Sequence, residues 1–536
     1  MEPQQSAKPP GRWEWFLPNL IVFISSLCIM VVELVAGRLI ARHVGSSLYT
    51  WTSVIGIVLA GIAGGNYAGG LIADRYKPRE ALASLFLVAS AACLLIPLLN
   101  SRIGAWGFLL EREWAMRIAL HVFFVFFLPA ALMGMISPVA AKMALADSRK
   151  TGRTVGSIYS WGAVGSIFGT FLTGYYLIAK MGTVSVILTV SGVLFAVSLY
   201  FGAQALLPYV WGGALAACVL AATGPWAWAK QTGERLGLRE RTGELVHFQE
   251  ESNYSFIRVE EELDRPGLRS MTLDFLIHAY ITMDDPDDLQ YDYERIYAGV
   301  THNAISSLPP AHAPRALFLG GGGFVFPAWF LRHFPTGYAQ VAEIDPAVTR
   351  AAFEAFGLEP HPSLKIHNLD ARNHVDDIIR RADRGEPVEK FDLVYGDAFD
   401  HYSPPFHLTT LEYNEKLRRL MADDGVFLAN VIDVYRSGKF LGAMINTIEK
   451  TFPHVYVFST ALGGPSDDDL RDTFVVVGSL RLLDFSGFEE ERFSGALIRP
   501  RHFDELRRRS NRLVLTDDYA PVDNLIAPVV SMADPD

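Results

Sequence analysis

The chain has 536 residues, half of them hydrophobic, and a mean hydropathy of +0.21, so it is too long for one ordinary domain and apolar enough to hold membrane spans. Residues 1–230 carry 16 Lys+Arg against 8 Asp+Glu, whereas the remainder carries 31 against 50. An acidic second half repels phosphate backbones and attracts cations, which argues against nucleic acid as a partner, and three cysteines confined to apolar stretches leave no disulfide framework or zinc spacing.

In chain order, the first half reads as seven transmembrane helices at about 16–41, 47–73, 80–100, 118–145, 154–179, 183–207 and 209–229, each about the length that crosses a ~30 Å hydrocarbon core. The first fifteen residues have no signal-peptide core, so the first apolar stretch is expected to be a retained helix. Gly61, Gly64, Gly65, Gly69 and Gly70 on the second helix, and Gly162, Gly165, Gly169 and Gly174 on the fifth, predict close helix packing. Glu33 lies well inside a span and needs a partner, either Arg38 or a polar group on a neighbouring helix. Gly70–Arg79 resembles the loop between the second and third helices of major facilitator transporters, a loop that faces the cytoplasm in that family. With seven spans and an inside N-terminus, nine basic residues fall inside and six outside, which would put the second half on the outer face.

A polar linker near 230–245 leads into short alternating runs from Leu245 to Met283, read as a small antiparallel sheet. From Arg315 onward, apolar strands beginning at Ala316, Tyr338, Leu364, Phe391 and Gly425 alternate with helical stretches, the pattern of a parallel sheet with crossover helices. The expected domains are therefore a multi-pass transmembrane domain (1–230), a linker and small antiparallel β subdomain with its first helix (231–312), and a Rossmann-like α/β domain (313–536).

The first parallel strand runs into Gly320, Gly321, Gly322 and Gly323, a turn without Cβ atoms that lets a nucleotide approach the backbone. The second ends at Glu343, placed to accept both ribose hydroxyls of an adenosine ligand. The third delivers Asp370-Ala371 and the fourth Asp397, so three acidic strand ends converge on one crevice, although each Asp is equally suited to cap a helix.

These blocks, with Val341–Pro346 and Phe391–Asp397, resemble spermidine synthases, and above all the branch with a multi-helix membrane domain. The resemblance implies a polyamine aminopropyltransferase that uses decarboxylated S-adenosylmethionine as cosubstrate, with no tightly bound cofactor and no metal. It implies a diamine such as putrescine as acceptor, spermidine and methylthioadenosine as products, the lipid bilayer as a partner, and a homo-oligomer. By position it makes Asp397 catalytic, assigns Gly320, Gly321, Gly322, Glu343, Asp370 and Ala371 to the donor, and assigns Tyr254, Asp274, His278, Tyr293, Asp400, Asp517 and Asp518 to the substrates. One departure stands out: the family carries an Asp directly after the glycines, where this chain has Gly323 and Phe324. Asp274, Asp400 or Asp517 is the expected substitute, or else the substrates differ. The alternatives are a membrane-anchored S-adenosylmethionine-dependent methyltransferase and a polyamine or nucleoside sensor gating a transporter-like membrane half. The cosubstrate argues for a cytoplasmic second half, against the charge count.

Overall fold

The computed structural model describes residues 12–146, 151–202, 206–240, 245–399, 402–461, 470–488 and 495–530, with residues 243, 464 and 493. The chain separates into two compact units, Met1–Thr242 and Gly243–Asp536.

The first unit has six helices long and apolar enough to cross a membrane: Phe16–Val44, Leu48–Arg75, Pro78–Gly104, Trp114–Ala146, Thr151–Leu177 and Thr183–Tyr200. The fourth contains a π-bulge at Phe123–Phe127, just before Pro129, whose missing N–H cannot continue the regular ladder. The expected seventh span is a bent pair of helices, which brings the spans to seven if the pair is counted as one. The helix ends at Thr223, and a second one, Ala227–Arg235, departs at 104°. The break falls at Gly224-Pro225, where the proline lacks an N–H and biases the preceding residue out of helical geometry.

Packing explains the glycine spacing. A Cβ on Gly65 would stand 2.1 Å from the Ala131 carbonyl oxygen, and one on Gly69 2.5 Å from that of Met135. Gly165 and Gly169 meet the Phe23 and Leu27 carbonyls in the same way, so residues four apart form seams for close backbone approach. Gly64, Gly70 and Gly174 face open space instead.

The second unit opens with an antiparallel meander of β1 (Val246–Glu251), β2 (Phe256–Glu261), β3 (Leu268–Leu273) and β4 (Leu276–Thr282). The helix Asp292–Ser306 follows. The main sheet comprises β5 (Arg315–Leu319), β6 (Tyr338–Ala342), β7 (Leu364–His367), β8 (Phe391–Gly396), β9 (Met421–Val434), β10 (His454–Ser459), β11 (Arg471–Ser479) and β12 (Ala496–Leu497). Its order is β12-β10-β11-β9-β8-β5-β6-β7, parallel from β7 across to β9 and antiparallel beyond. Side chains alternate across it: Ala316 and Phe318 join one core, Leu317 and Leu319 the other. Strand β9 starts at Met421 rather than Gly425, because Met421 pairs with Phe391 before the register shifts and Val426 meets Leu393.

Each face of the main sheet carries its own closed apolar cluster within the second unit. Residues 243–536 expressed alone should therefore be soluble and melt cooperatively in circular dichroism. An aggregated or unfolded fragment would show that the membrane half completes this core.

Candidate active site

The sheet order reverses between β5 and β8, and the crevice beyond their carboxyl ends is where ligands bind in open parallel sheets. Two backbone bonds close its floor, Gly320 N–H to the Ala342 carbonyl and Asp397 N–H to the Leu319 carbonyl, each 2.9 Å. Gly320 has φ +109°, and a Cβ there would lie 2.3 Å from the Asp397 carbonyl oxygen. The turn passes between two carboxylates: a Cβ on Gly321 would lie 2.8 Å from Glu343 Oε2, and one on Gly322 3.8 Å from Asp397 Oδ2.

Glu343 is buried and accepts two backbone bonds, from Gly321 N–H at 2.9 Å and Asp345 N–H at 2.8 Å. Burial outweighs these bonds and pushes its carboxyl up to about 7. Asp345 caps the helix Pro346–Ala355 through Ala347 N–H and accepts from the Ser252 hydroxyl of the small sheet.

Asp397 accepts from Asn430 Nδ2 at 2.9 Å on one oxygen and from the Tyr293 hydroxyl at 3.1 Å on the other. The side chain is half-buried, and desolvation raises its proton affinity against the lowering effect of both bonds. Glu294, next to Tyr293, is 2 % exposed, and burial together with the Asp397 charge holds its carboxyl well above the usual range. A cavity at the ends of β5, β8 and β9 is lined by Leu319, Gly396, Ala398, Tyr413, Asn430 and Met444.

Asp370 belongs to a second group. It caps the helix Ala371–Asp383 through Asn373 N–H at 3.0 Å and faces His407 Nε2 at 3.0 Å, and the His407 contact leads the effects that lower its proton affinity. Ala371 is buried behind it. Arg372 holds Asp517 through both terminal guanidinium nitrogens and donates to the His407 carbonyl at 2.8 Å, while Thr410 donates to Asp517 at 2.7 Å. Asp517 thus ties the C-terminal segment to the start of this helix, and its pairing with Arg372 lowers its proton affinity. Asp518 is exposed.

The remaining residues lie elsewhere. Tyr254 is exposed in the turn between β1 and β2, Asp274 (φ 57°) accepts from Phe256 N–H at 3.0 Å in the tight turn between β3 and β4, and His278 is half-buried on β4. Asp400 lies outside the described residues. Sequence reasoning overlooked Asn430 and assigned no role to Glu294. The available signals were a single amide in the otherwise apolar run Val426–Val431 and a carboxylate on the buried face of the helix Asp292–Ser306.

Strand order, glycine turn and acidic end of β6 together define a methyltransferase-type α/β domain, joined to an N-terminal set of apolar helices. Polyamine aminopropyltransferases are among its relatives. The chain is 29% identical over 175 residues to the polyamine aminopropyltransferase of Vibrio vulnificus, a stretch covering 32% of this chain and 54% of that protein. It is 22% identical over 493 residues to polyamine aminopropyltransferase 2 of Aquifex aeolicus, covering 88% and 89% of the two chains, so this similarity includes the membrane half. The eEF1A lysine and N-terminal methyltransferase of Mus musculus is 27% identical over 142 residues, covering 26% of this chain and 20% of that one. The matched stretch thus spans about half of the Vibrio protein's length and a fifth of the mouse protein's. No family model matches.

Proposed function

We propose that the chain is a membrane-anchored aminopropyltransferase that moves the aminopropyl group of decarboxylated S-adenosylmethionine to a diamine such as putrescine, releasing spermidine and methylthioadenosine. The observation that carries this reading is Asp397, oriented by Tyr293 and Asn430 across the glycine turn from Glu343. In the reaction the lone pair of a neutral amine attacks the methylene beside the sulfonium. A C–N bond forms, the C–S bond breaks with its electron pair going to sulfur, and the surplus N–H proton must leave. Asp397 orients the amine and takes that proton, a role suited to a desolvated carboxylate with raised proton affinity. Holding donor and acceptor in line supplies much of the remaining acceleration. Glu343 receives the ribose hydroxyls, and Asp370 keeps lone-pair capacity for the adenine amine beside its bonds to Asn373 and His407.

Topology supports the same reading. Six spans with an inside N-terminus keep the basic loops inside and return the chain to the cytoplasmic side, where the nucleotide-derived donor is found. If the bent pair Pro208–Thr223 and Ala227–Arg235 does not cross, the charge count and the cosubstrate point to the same side.

The deciding experiment is mass spectrometry of products from purified full-length protein given both sulfonium donors and a panel of amines. Spermidine and methylthioadenosine from the decarboxylated donor are expected. A methylated product from S-adenosylmethionine would move the assignment to the methyltransferase reading, which the stretch shared with the mouse enzyme favours. Binding without turnover would leave the sensor.

Glu343→Ala should weaken methylthioadenosine binding by more than roughly tenfold through loss of a charge-assisted contact to two hydroxyls. The ionised carboxylate is the form that accepts both hydroxyls, and it titrates at about 7 in the free protein. Affinity should therefore fall as the pH drops through that value, by about tenfold from pH 8 to pH 6. Calorimetry on the wild type and Glu343→Gln checks this, and a flat wild-type profile removes Glu343 from the ribose site.

A further inference from the structure

Neither residue after the glycine turn can present an acid to the crevice. A Cβ on Gly323 would lie 2.9 Å from both Ala279 and Phe356, and the Phe324 side chain is 1 % exposed inside the core. Asp274 is engaged with Phe256 N–H and Asp517 with Arg372. A different carboxylate lies beside Asp397. Glu294 is buried, within electrostatic reach of Asp397, and its Oε2 has no hydrogen-bond partner. Asn430 spends its amide N–H on Asp397 and leaves its own Oδ1, also buried, without one. Among the described residues no Lys or Arg forms an ion pair with Glu294 or Asp397. Arg295, next in sequence, donates to the Leu289 carbonyl and pairs with Asp288 and Asp292.

Unsatisfied buried acceptors beside a second carboxylate are costly unless a ligand brings both positive charge and N–H donors, and the one cation whose field lowers the proton affinity of Glu294, Arg295, is itself paired with Asp288 and Asp292. A primary ammonium brings both, with three donors and no acceptor. We propose that Glu294 and Asn430 form an alkylammonium pocket next to Asp397, in which Glu294 takes the place of the acid missing after the glycine turn. The pocket deepens the aminopropyltransferase reading and rests on it for which amine is bound: the donor's aminopropyl ammonium or one end of the acceptor diamine.

The test is calorimetry on full-length detergent-solubilised protein, wild type and Glu294→Gln. The probes are putrescine, decarboxylated S-adenosylmethionine, and methylthioadenosine, which has no primary ammonium. Glu294→Gln keeps size and shape but cannot ionise to meet an ammonium, so affinity for at least one ammonium-bearing probe should fall about tenfold or more, with methylthioadenosine unchanged. Loss with putrescine alone assigns the pocket to the acceptor, and loss with the donor alone assigns it to the aminopropyl chain. A variant that binds both ammonium probes as tightly as the wild type overturns the pocket, as does a wild type that binds neither. Since binding is read without turnover, a protein whose ammonium affinity depends on Glu294 but which transfers no aminopropyl group keeps the pocket and loses the function proposed above. If Glu294→Gln also loses methylthioadenosine, Glu294→Asp replaces it. The same charge one methylene shorter should lower ammonium affinity severalfold with methylthioadenosine unchanged, and equal ammonium affinity again overturns the pocket.

Discussion

Asp397→Asn should retain methylthioadenosine binding and lose turnover by roughly 10² or more, the scale of a missing general base. The substitution preserves side-chain shape, and its oxygen can still accept the hydrogen bond from Tyr293 or Asn430, so the crevice keeps its geometry. What disappears is the negative charge that favours the amine as it loses its proton. The residual rate should then climb more steeply at alkaline pH, where solvent supplies the base. A variant that turns over near the wild-type rate at neutral pH, with the donor still bound, would remove Asp397 from the chemistry and favour the methyltransferase or sensor readings.

Gly320→Ala should abolish measurable nucleotide binding and lower the melting temperature. Two costs combine. At φ +109° an L-residue is strained, at about 1–3 kcal/mol for a sparsely populated region. The new Cβ would also lie 2.3 Å from the Asp397 carbonyl oxygen, 2.7 Å from its carbon and 2.9 Å from Ala398 N, all backbone atoms that cannot rotate aside. Relief requires the ends of β5 and β8 to separate, which moves the glycine turn and Asp397 together. Overpacking of this kind costs about 1–3 kcal/mol more, so affinity for methylthioadenosine should fall about 100-fold or beyond, with a melting point several degrees lower by differential scanning fluorimetry. Unchanged affinity and melting would mean that the β5–β8 junction yields more easily than its geometry indicates.

Much of the architecture was legible from local pattern. The parallel strands at Ala316, Tyr338, Leu364 and Phe391 each announce themselves by a short apolar run before a turn, and the structure starts them within one residue of those positions. The strands His454–Ser459 and Arg471–Ser479 do not stand out in the sequence. Their apolar runs, Val455–Phe458 and Phe474–Val477, do not alternate, because both faces of the sheet are covered there. The seventh membrane helix looked continuous because hydropathy averages over a window, whereas the break depends on one Gly-Pro pair.

Local pattern was enough to read the apolar helical half, the acidic α/β half, and the order of glycine turn, Glu343, Asp370 and Asp397, since each rests on a property of neighbouring residues: hydropathy over a span, freedom at positive φ, or the end of a strand. Which acids are engaged and which are left over depends instead on the folded chain. Asp517 is neutralised by Arg372, 145 residues away, Tyr293 reaches Asp397 across 104, and Glu294 is buried with an oxygen unmatched. The physical reason is that burial and pairing set the electrostatics of a carboxylate, and both are supplied by parts of the chain that only folding brings to its side.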